Sequence, residues 1–391
     1  MAQRDDGAIA TGVAEAAGDA VVHTTTGRVV PALRGPAITV NLDHIEDNTR
    51  TLASRLPGLS LVGVTKTTVG NHAIGEAMLR GGAMALGESR VGNLAKLRAA
   101  GIRAPLWLLR APTPAQADEV VRLADVSLES EFVTVRALDA AAHARGVVHR
   151  VVCMVELGDL REGIMPDDLP TFVDQVAALE HVQIAGVGVN LTCYGGVVPS
   201  GENLGRLADL AAAVRHRLGR PIVVSGGNSS TLPLALAGEL PSGIDNLRVG
   251  ESILQGLSTL TREPLLEELH LDAFVLRAPI IECLVKPSRP VGEFGQDAFG
   301  AQSTDCQDRG LRRRALVALG RQDVIPGFLT SVDPRVEVLG LNSDHLVADV
   351  EEVRPVPRVG DVVEFIPGFA SVQQAFTSPY VEKGSTGGPA V

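Results

Sequence analysis

Between about Pro36 and residue 262, short apolar runs alternate with amphipathic stretches of helical length, the pattern of successive β-α units. Eight runs read as strands, at 59–64, 83–86, 106–109, 126–128, 151–156, 184–189, 222–224 and 246–249. Each is followed by a helical pattern, such as 201–218 after the sixth. Eight units in about 210 residues fit a closed (β/α)8 barrel better than an open doubly wound sheet. Beyond Pro264 the texture changes. AFVLRAPIIECLV, RALVALG, VEVLGL, HLVADVEEV and DVVEFIP are strand-like and separated by Pro- and Gly-rich turns, which predicts a second, mostly β domain. The first 35 residues carry no sustained period and read as a flexible extension. The expected fold is therefore α/β, with an extension over 1–35, a TIM-like barrel over 36–263, a C-terminal β domain over 264–386 and a tail over 387–391.

Composition narrows the function classes. The 391 residues are 45% hydrophobic and 21% charged, as in an ordinary globular enzyme. Only 3% are aromatic and the formal net charge is −11, so neither stacking platforms nor a basic face points to nucleic acid. No apolar run reaches the length of a membrane span, and the start MAQRDDGAIATG lacks the basic and apolar regions of a secretion signal. Cys153, Cys193, Cys283 and Cys306 are widely spaced, without a CxxC pair to suggest zinc or a redox dithiol; no metal is expected, and reduced thiols in the cytoplasm are the default.

In a (β/α)8 barrel, functional residues lie at the C-terminal ends of the strands, and the loops after the seventh and eighth often hold a phosphate. The seventh strand here runs into Ser225-Gly226-Gly227-Asn228-Ser229-Ser230, small residues whose amides and hydroxyls suit a dianion. The eighth ends in Arg248-Val249-Gly250-Glu251, where Gly250 permits close backbone approach. Either loop alone reads as a plain turn; together on one face they read as a phosphate cup. Lys66 closes the first strand, so its amine projects into the barrel mouth. A lysine at a strand end is ordinarily solvated, but one desolvated there forms Schiff bases with carbonyls. A lysine and a phosphate cup on one face suggest a phosphate-bearing aldehyde, of which pyridoxal phosphate is the obvious case.

From about residue 37 to 383 the chain resembles the alanine/ornithine racemase family of pyridoxal-phosphate enzymes (fold-type III), its ornithine racemase branch above all. The residues that carry the resemblance are GVTK (63–66), GDLREG (158–163), NLTCYGG (190–196), SGGNSS (225–230), NLRVGE (246–251), KPSRPVGE (286–293), DAFG (297–300), GRQD (320–323) and SDH (343–345). The resemblance implies a barrel plus a β domain, assembled as a head-to-tail homodimer in which the partner's β domain completes each site. It implies that Lys66 holds the cofactor and acts as one catalytic base. Asn228, Ser229, Gly250 and Glu251 fall in the cofactor-binding blocks. Arg248 falls where an arginine faces the pyridine nitrogen. Arg161 takes the place of an arginine near the cofactor phenolate and the substrate carboxylate; an ion pair with Asp159 or Glu162 is its plainer alternative.

The departures from the alanine racemases bear on mechanism. Phe299 stands where they carry the tyrosine that serves as second base, and a phenyl ring transfers no proton. His345 is the first candidate to replace it, because Ser343-Asp344-His345 resembles the segment the partner presents to substrate. Cys193 and Tyr194, after the sixth strand, also face the mouth, Cys193 as a candidate base and Tyr194 as a substrate contact; Cys306 is a remote alternative. Met154 replaces a lysine that becomes carbamylated in many alanine racemases, and Phe369 replaces a tyrosine that contacts phosphate. The expectation is an amino-acid racemase, with ornithine or another basic amino acid as leading substrate, that removes the α-proton of the cofactor-bound amino acid and returns it on the opposite face. A one-base aldolase or specialised epimerase, a non-catalytic carrier of the cofactor, and a barrel aldolase acting on a sugar phosphate stay open as alternatives.

Overall fold

The computed structural model describes residues 21–300 and 307–388, so Cys306, the first 20 residues and the end of the expected tail lie outside the described residues. Two compact units emerge, and neither is one continuous stretch of chain. Of the described residues, one comprises 37–276, 321–330 and 365–388; the other comprises 21–36, 277–300, 307–320 and 331–364.

The larger unit contains a closed barrel of eight parallel strands: β1 (Ser60–Val64), β2 (Ala85–Glu88), β3 (Leu106–Leu108), β4 (Val126–Glu129), β5 (His149–Val155), β6 (Val182–Val189), β7 (Val223–Asn228) and β8 (Asn246–Val249). Each falls on one of the eight expected apolar runs. Closure is made by β8 against β1, with Asn246 opposite Ser60, Leu247 opposite Leu61, Arg248 opposite Val62 and Val249 opposite Gly63. Because side chains alternate across a strand, one set fills the barrel: Val62, Ala85, Trp107, Val126, Leu128, Val152 and Met154 pack into a buried cluster. The intervening residues turn to the opposite face, as Ser127 and Glu129 do on β4.

The connecting helices follow local rules. In the helix Gly201–Leu218, Ser200 and Asn203 form a reciprocal capping box, and Gly219 ends it in the left-handed conformation at φ +63°. Leu204, Leu207, Ala211 and Val214, spaced three and four apart, form its buried stripe. No helix of the described residues is long and apolar enough to cross a membrane.

The smaller unit is built on antiparallel pairing, as the change of texture predicts. Leu311–Val317 lies between Phe274–Pro287 and Leu346–Asp349, and Leu346–Asp349 pairs in turn with Glu337–Leu341. Part of the expected extension is ordered here: Val21–His23 and Val29–Pro31 form an antiparallel hairpin, turned by Gly27 at φ +88°. Strands of three residues are too short for their alternation to register as a period.

Candidate active site

The C-terminal ends of the barrel strands converge on a cavity of about 550 Å³ that lies wholly in the larger unit. That size suits a small-molecule or cofactor site.

Lys66 reaches it from a tight turn. At the end of β1, the Thr65 amide donates to the Gly87 carbonyl at 2.9 Å and its hydroxyl to Glu88 Oε2 at 3.3 Å, so Thr65 is pinned to β2. The chain then makes one turn of 3-10 helix, Lys66–Thr68, closed by the Thr68 hydroxyl donating to the Thr65 carbonyl. Val69 follows at φ +55°, a conformation that β-branched residues avoid and that costs on the order of 1–3 kcal/mol. The chain accepts that cost directly beside the lysine that lines the cavity. Glu88, beneath the turn, is raised above the usual carboxylate range by burial, against the amides of Ser89 and Arg90 that donate to it.

Across the mouth, β7 and β8 build a cup. Asn228 accepts from the Ser230 amide at 2.9 Å and starts a short turn, Ser229–Thr231. The Ser229 hydroxyl accepts from the amides of Gly250 and Ser252 at 3.3 and 3.4 Å, tying the two loops together. A Cβ on Gly227, which sits at φ +109°, would meet Thr231 Oγ1 at 2.8 Å, so the turn requires glycine there. The buried Ser230 hydroxyl in the turn is left without a partner, and Thr259 in the cavity wall sets its hydroxyl against the Glu251 carboxylate. An orphaned donor beside a cluster of loop amides suits an oxyanion.

Arg248 is the most buried cation of the site. Its guanidinium donates to the Val189 carbonyl at 2.7 Å and to Ser225 Oγ; Ser225 donates to Asn246 Oδ1, and Asn246 donates to Ser60 Oγ. Burial brings Arg248 down to about 10, which leaves it charged at neutral pH. The loop after β5 presents Arg161. Asp159, fully buried, accepts from the amides of Tyr194 and Gly195 at 3.0 Å each and so fastens this loop to the one after β6. Arg161 forks onto Glu162, which raises it above its ordinary value. With its amide turned to face donors, Asn190 accepts from the same guanidinium at 3.1 and 3.3 Å. Cys193 stands beside them, its Sγ 3.4 Å from the donating Asn228 Nδ2.

Eight of the expected residues thus line one cavity: Lys66, Arg161, Cys193, Asn228, Ser229, Arg248, Gly250 and Glu251, with Met154 and Phe369 in its wall. Tyr194 does not line it; that side chain is 76% exposed. Ser343, Asp344 and His345 belong to the smaller unit and form a turn in which Asn342 Oδ1 accepts from the amides of Asp344 and His345 at 3.0 and 2.8 Å. Phe299 is in the same unit, half exposed. Sequence reasoning named Glu162 only as an ion-pair partner for Arg161, a pair the structure shows, and assigned no role to Asn190, Arg110 or Thr259, all cavity residues. Asn190 was within reach of it, since it directly follows a strand.

A second cluster, outside the cavity, brings His44, His270 and Asp272 within ligating range of one another. The two imidazoles stack with ring centroids 3.9 Å apart and planes 6° from parallel. Their in-plane lone pairs run side by side and do not converge on one ion.

The chain matches the family described as the alanine racemase N-terminal domain over residues 40–257. It is 40% identical over 352 residues to an ornithine racemase from Acetoanaerobium sticklandii, covering 89% of this chain and 99% of that one. The chain belongs to the alanine racemase family. Within that family it is 38% identical to a lysine racemase from Thermotoga maritima, over 89% of this chain and 98% of the other. Its fold is that of the alanine racemases of known structure. The enzyme from Streptomyces lavendulae superposes with a TM-score of 0.71 at 22% identity, over 92% and 98% of the two chains. The enzyme from Bartonella henselae, with covalently bound pyridoxal phosphate, superposes at 0.69 and 16%, over 90% and 100%. Kinship with two racemases over nine-tenths of its length makes this member of the alanine racemase family an amino-acid racemase.

Proposed function

We propose that the chain racemises a basic amino acid, ornithine first, with pyridoxal phosphate as cofactor. The observation that carries this reading is the joint placement of Lys66, the Ser229/Gly250 cup and the buried Arg248 around one cavity. The unpartnered hydroxyl of Ser230, and the amides gathered on Ser229, suit the phosphate. Lys66 Nζ would hold the aldehyde end, with Asn228 and Glu251 in the surrounding wall. Bound pyridoxal phosphate supplies an electron-accepting ring that acidifies the α-C–H of an amino acid attached to it.

The chain's own residues do the rest. Arg248 cannot lose its proton at neutral pH, so any ring nitrogen facing it is offered a donor and stays unprotonated. Its anchoring to Val189 and Ser225 keeps that donor fixed. Arg161 takes the substrate carboxylate through its planar fork. Lys66 moves the α-proton on one face. For the opposite face the chain offers Cys193, within the cavity, and His345, on the turn that a second copy would contribute with Ser343 and Asp344; Tyr194 would meet the substrate at the rim. A homodimer with shared sites is part of this reading.

Exchange in D2O tests it. Cofactor-loaded protein given single enantiomers of ornithine, lysine and alanine should incorporate deuterium at Cα and form the opposite enantiomer, fastest with a basic side chain. Lys66→Ala should abolish both, a loss of at least about a thousandfold for removal of a positioned base and anchor. Exchange with retained configuration in the unaltered protein overturns racemisation in favour of one-face chemistry.

A further inference from the structure

The charged side chains lining the cavity are Lys66, Arg110, Arg161 and Arg248 against Glu162 and Glu251. A cofactor phosphate and a substrate carboxylate are welcome in such a site. The side-chain ammonium of a basic amino acid is repelled unless a carboxylate receives it, and among the described residues this chain's own lining offers two, besides the Asp344 that a second copy would bring in the proposed homodimer. Glu251 is engaged by Arg262 and directly follows Gly250, whose amide belongs to the phosphate cup. Glu162 is differently placed. Its loop is pinned at both ends: the Gly158 amide donates to Glu156 Oε1, the Glu156 amide donates to the Ile164 carbonyl at 3.0 Å, and the Ile164 amide donates to the Met154 carbonyl of β5 at 2.8 Å. Gly163 lies so close to Glu156 that a Cβ there would stand 2.4 Å from its amide nitrogen. The carboxylate is therefore held in the cavity wall, paired with Arg161, and its field reaches the buried Arg248.

We propose that Glu162 is the specificity-determining carboxylate of this racemase, accepting the side-chain ammonium of a basic amino acid whose α-carboxylate lies on Arg161. The inference rests on the racemase reading above and adds to it the residue that selects the substrate. Before substrate enters, Arg161 and Glu162 satisfy each other, with Asn190 as a second acceptor for the guanidinium. A dibasic zwitterion exchanges that internal pair for two external ones, carboxylate to guanidinium and ammonium to carboxylate, and charge is conserved. An uncharged side chain supplies only the first contact and leaves Glu162 desolvated without a cation. The same residue thus attracts one class and penalises the other.

The test compares ornithine with norvaline, which has the same carbon chain without the terminal amine, on the cofactor-loaded enzyme. In Glu162→Gln, KM for ornithine should rise at least tenfold with a smaller change in kcat, and norvaline should be processed as well as before or better. The ratio of the two kcat/KM values then falls at least tenfold. Glu162→Asp, which keeps the charge, should retain most of the preference. Binding calorimetry on the same variants gives a readout besides the rate, in which ornithine alone should lose affinity. An equal loss for both amino acids would make Glu162 a positioning residue for Arg161 and overturn the proposal, as would an unchanged ratio. Failure of the unaltered enzyme to exchange the α-proton of any amino acid is a separate result that removes the racemase reading itself.

Discussion

Glu129 ends β4 fully buried, and burial pushes its carboxyl up to about 8 against a hydrogen bond from Ser127 that works to lower it. In the unfolded chain the same group ionises near 4.5. Between those values the folded protein holds a proton that the unfolded chain has released, so stability is fully present below the lower value and is lost as pH rises through the upper one. Glu129→Gln has nothing to ionise. Its melting temperature should differ least from the parent near pH 5 and exceed it by several degrees at pH 9; a difference constant across that range would show that the carboxyl does not titrate as described. Such a residue is invisible in a sequence, where a glutamate closing a strand looks like any solvated one. Lys66, Arg248 and Ser229 are legible for the opposite reason, since a strand end or a run of small residues fixes their place locally. Arg161 and Asn190 meet across two loops, 35 residues apart in sequence, that Asp159 ties together, a contact that no local pattern encodes.

At the scale of elements, the barrel's eight strands are legible because each is buried on both faces and reads as a continuous apolar run. What holds the helices against them is less so. Asn48, in the helix Leu42–Arg55, is completely buried and makes three hydrogen bonds to backbone far along the chain. It donates to the carbonyls of Ile253 and His270 at 3.0 and 2.9 Å and accepts from the His270 amide at 2.7 Å. One side chain thereby fixes the segment that follows the Gly250 cup. Asn48→Ala leaves an amide and two carbonyls unsatisfied in a dry interior, at a cost of about 2–4 kcal/mol. Urea unfolding should show the midpoint falling at an unchanged slope. A change below about 0.5 kcal/mol would mean that water replaces the lost bonds and that the clamp is not structural.

At the scale of the whole molecule, the proposed homodimer raises the question of which chain's turn would serve a given cavity. The turn carrying Ser343, Asp344 and His345 is built to hold its shape: Asn342 accepts from two of its amides, and a Cβ on Gly320 would stand 2.0 Å from the Ser343 carbonyl oxygen. A rigid turn bearing an acid and an imidazole suits presentation to a substrate, and the proposed homodimer would let one chain's turn serve the other chain's cavity. Mixing two inactive variants decides this. One carries Lys66→Ala, the other Asp344→Ala with His345→Ala. If the turn acts in its own chain, every site in the mixed dimer holds one defect and no activity returns. If it acts across the interface, each mixed dimer has one site with both defects and one with neither. Random reassociation of equal amounts then restores about a quarter of the parent activity. Full activity in the turn variant alone would assign the second proton transfer to Cys193 and leave the turn without a part in the reaction.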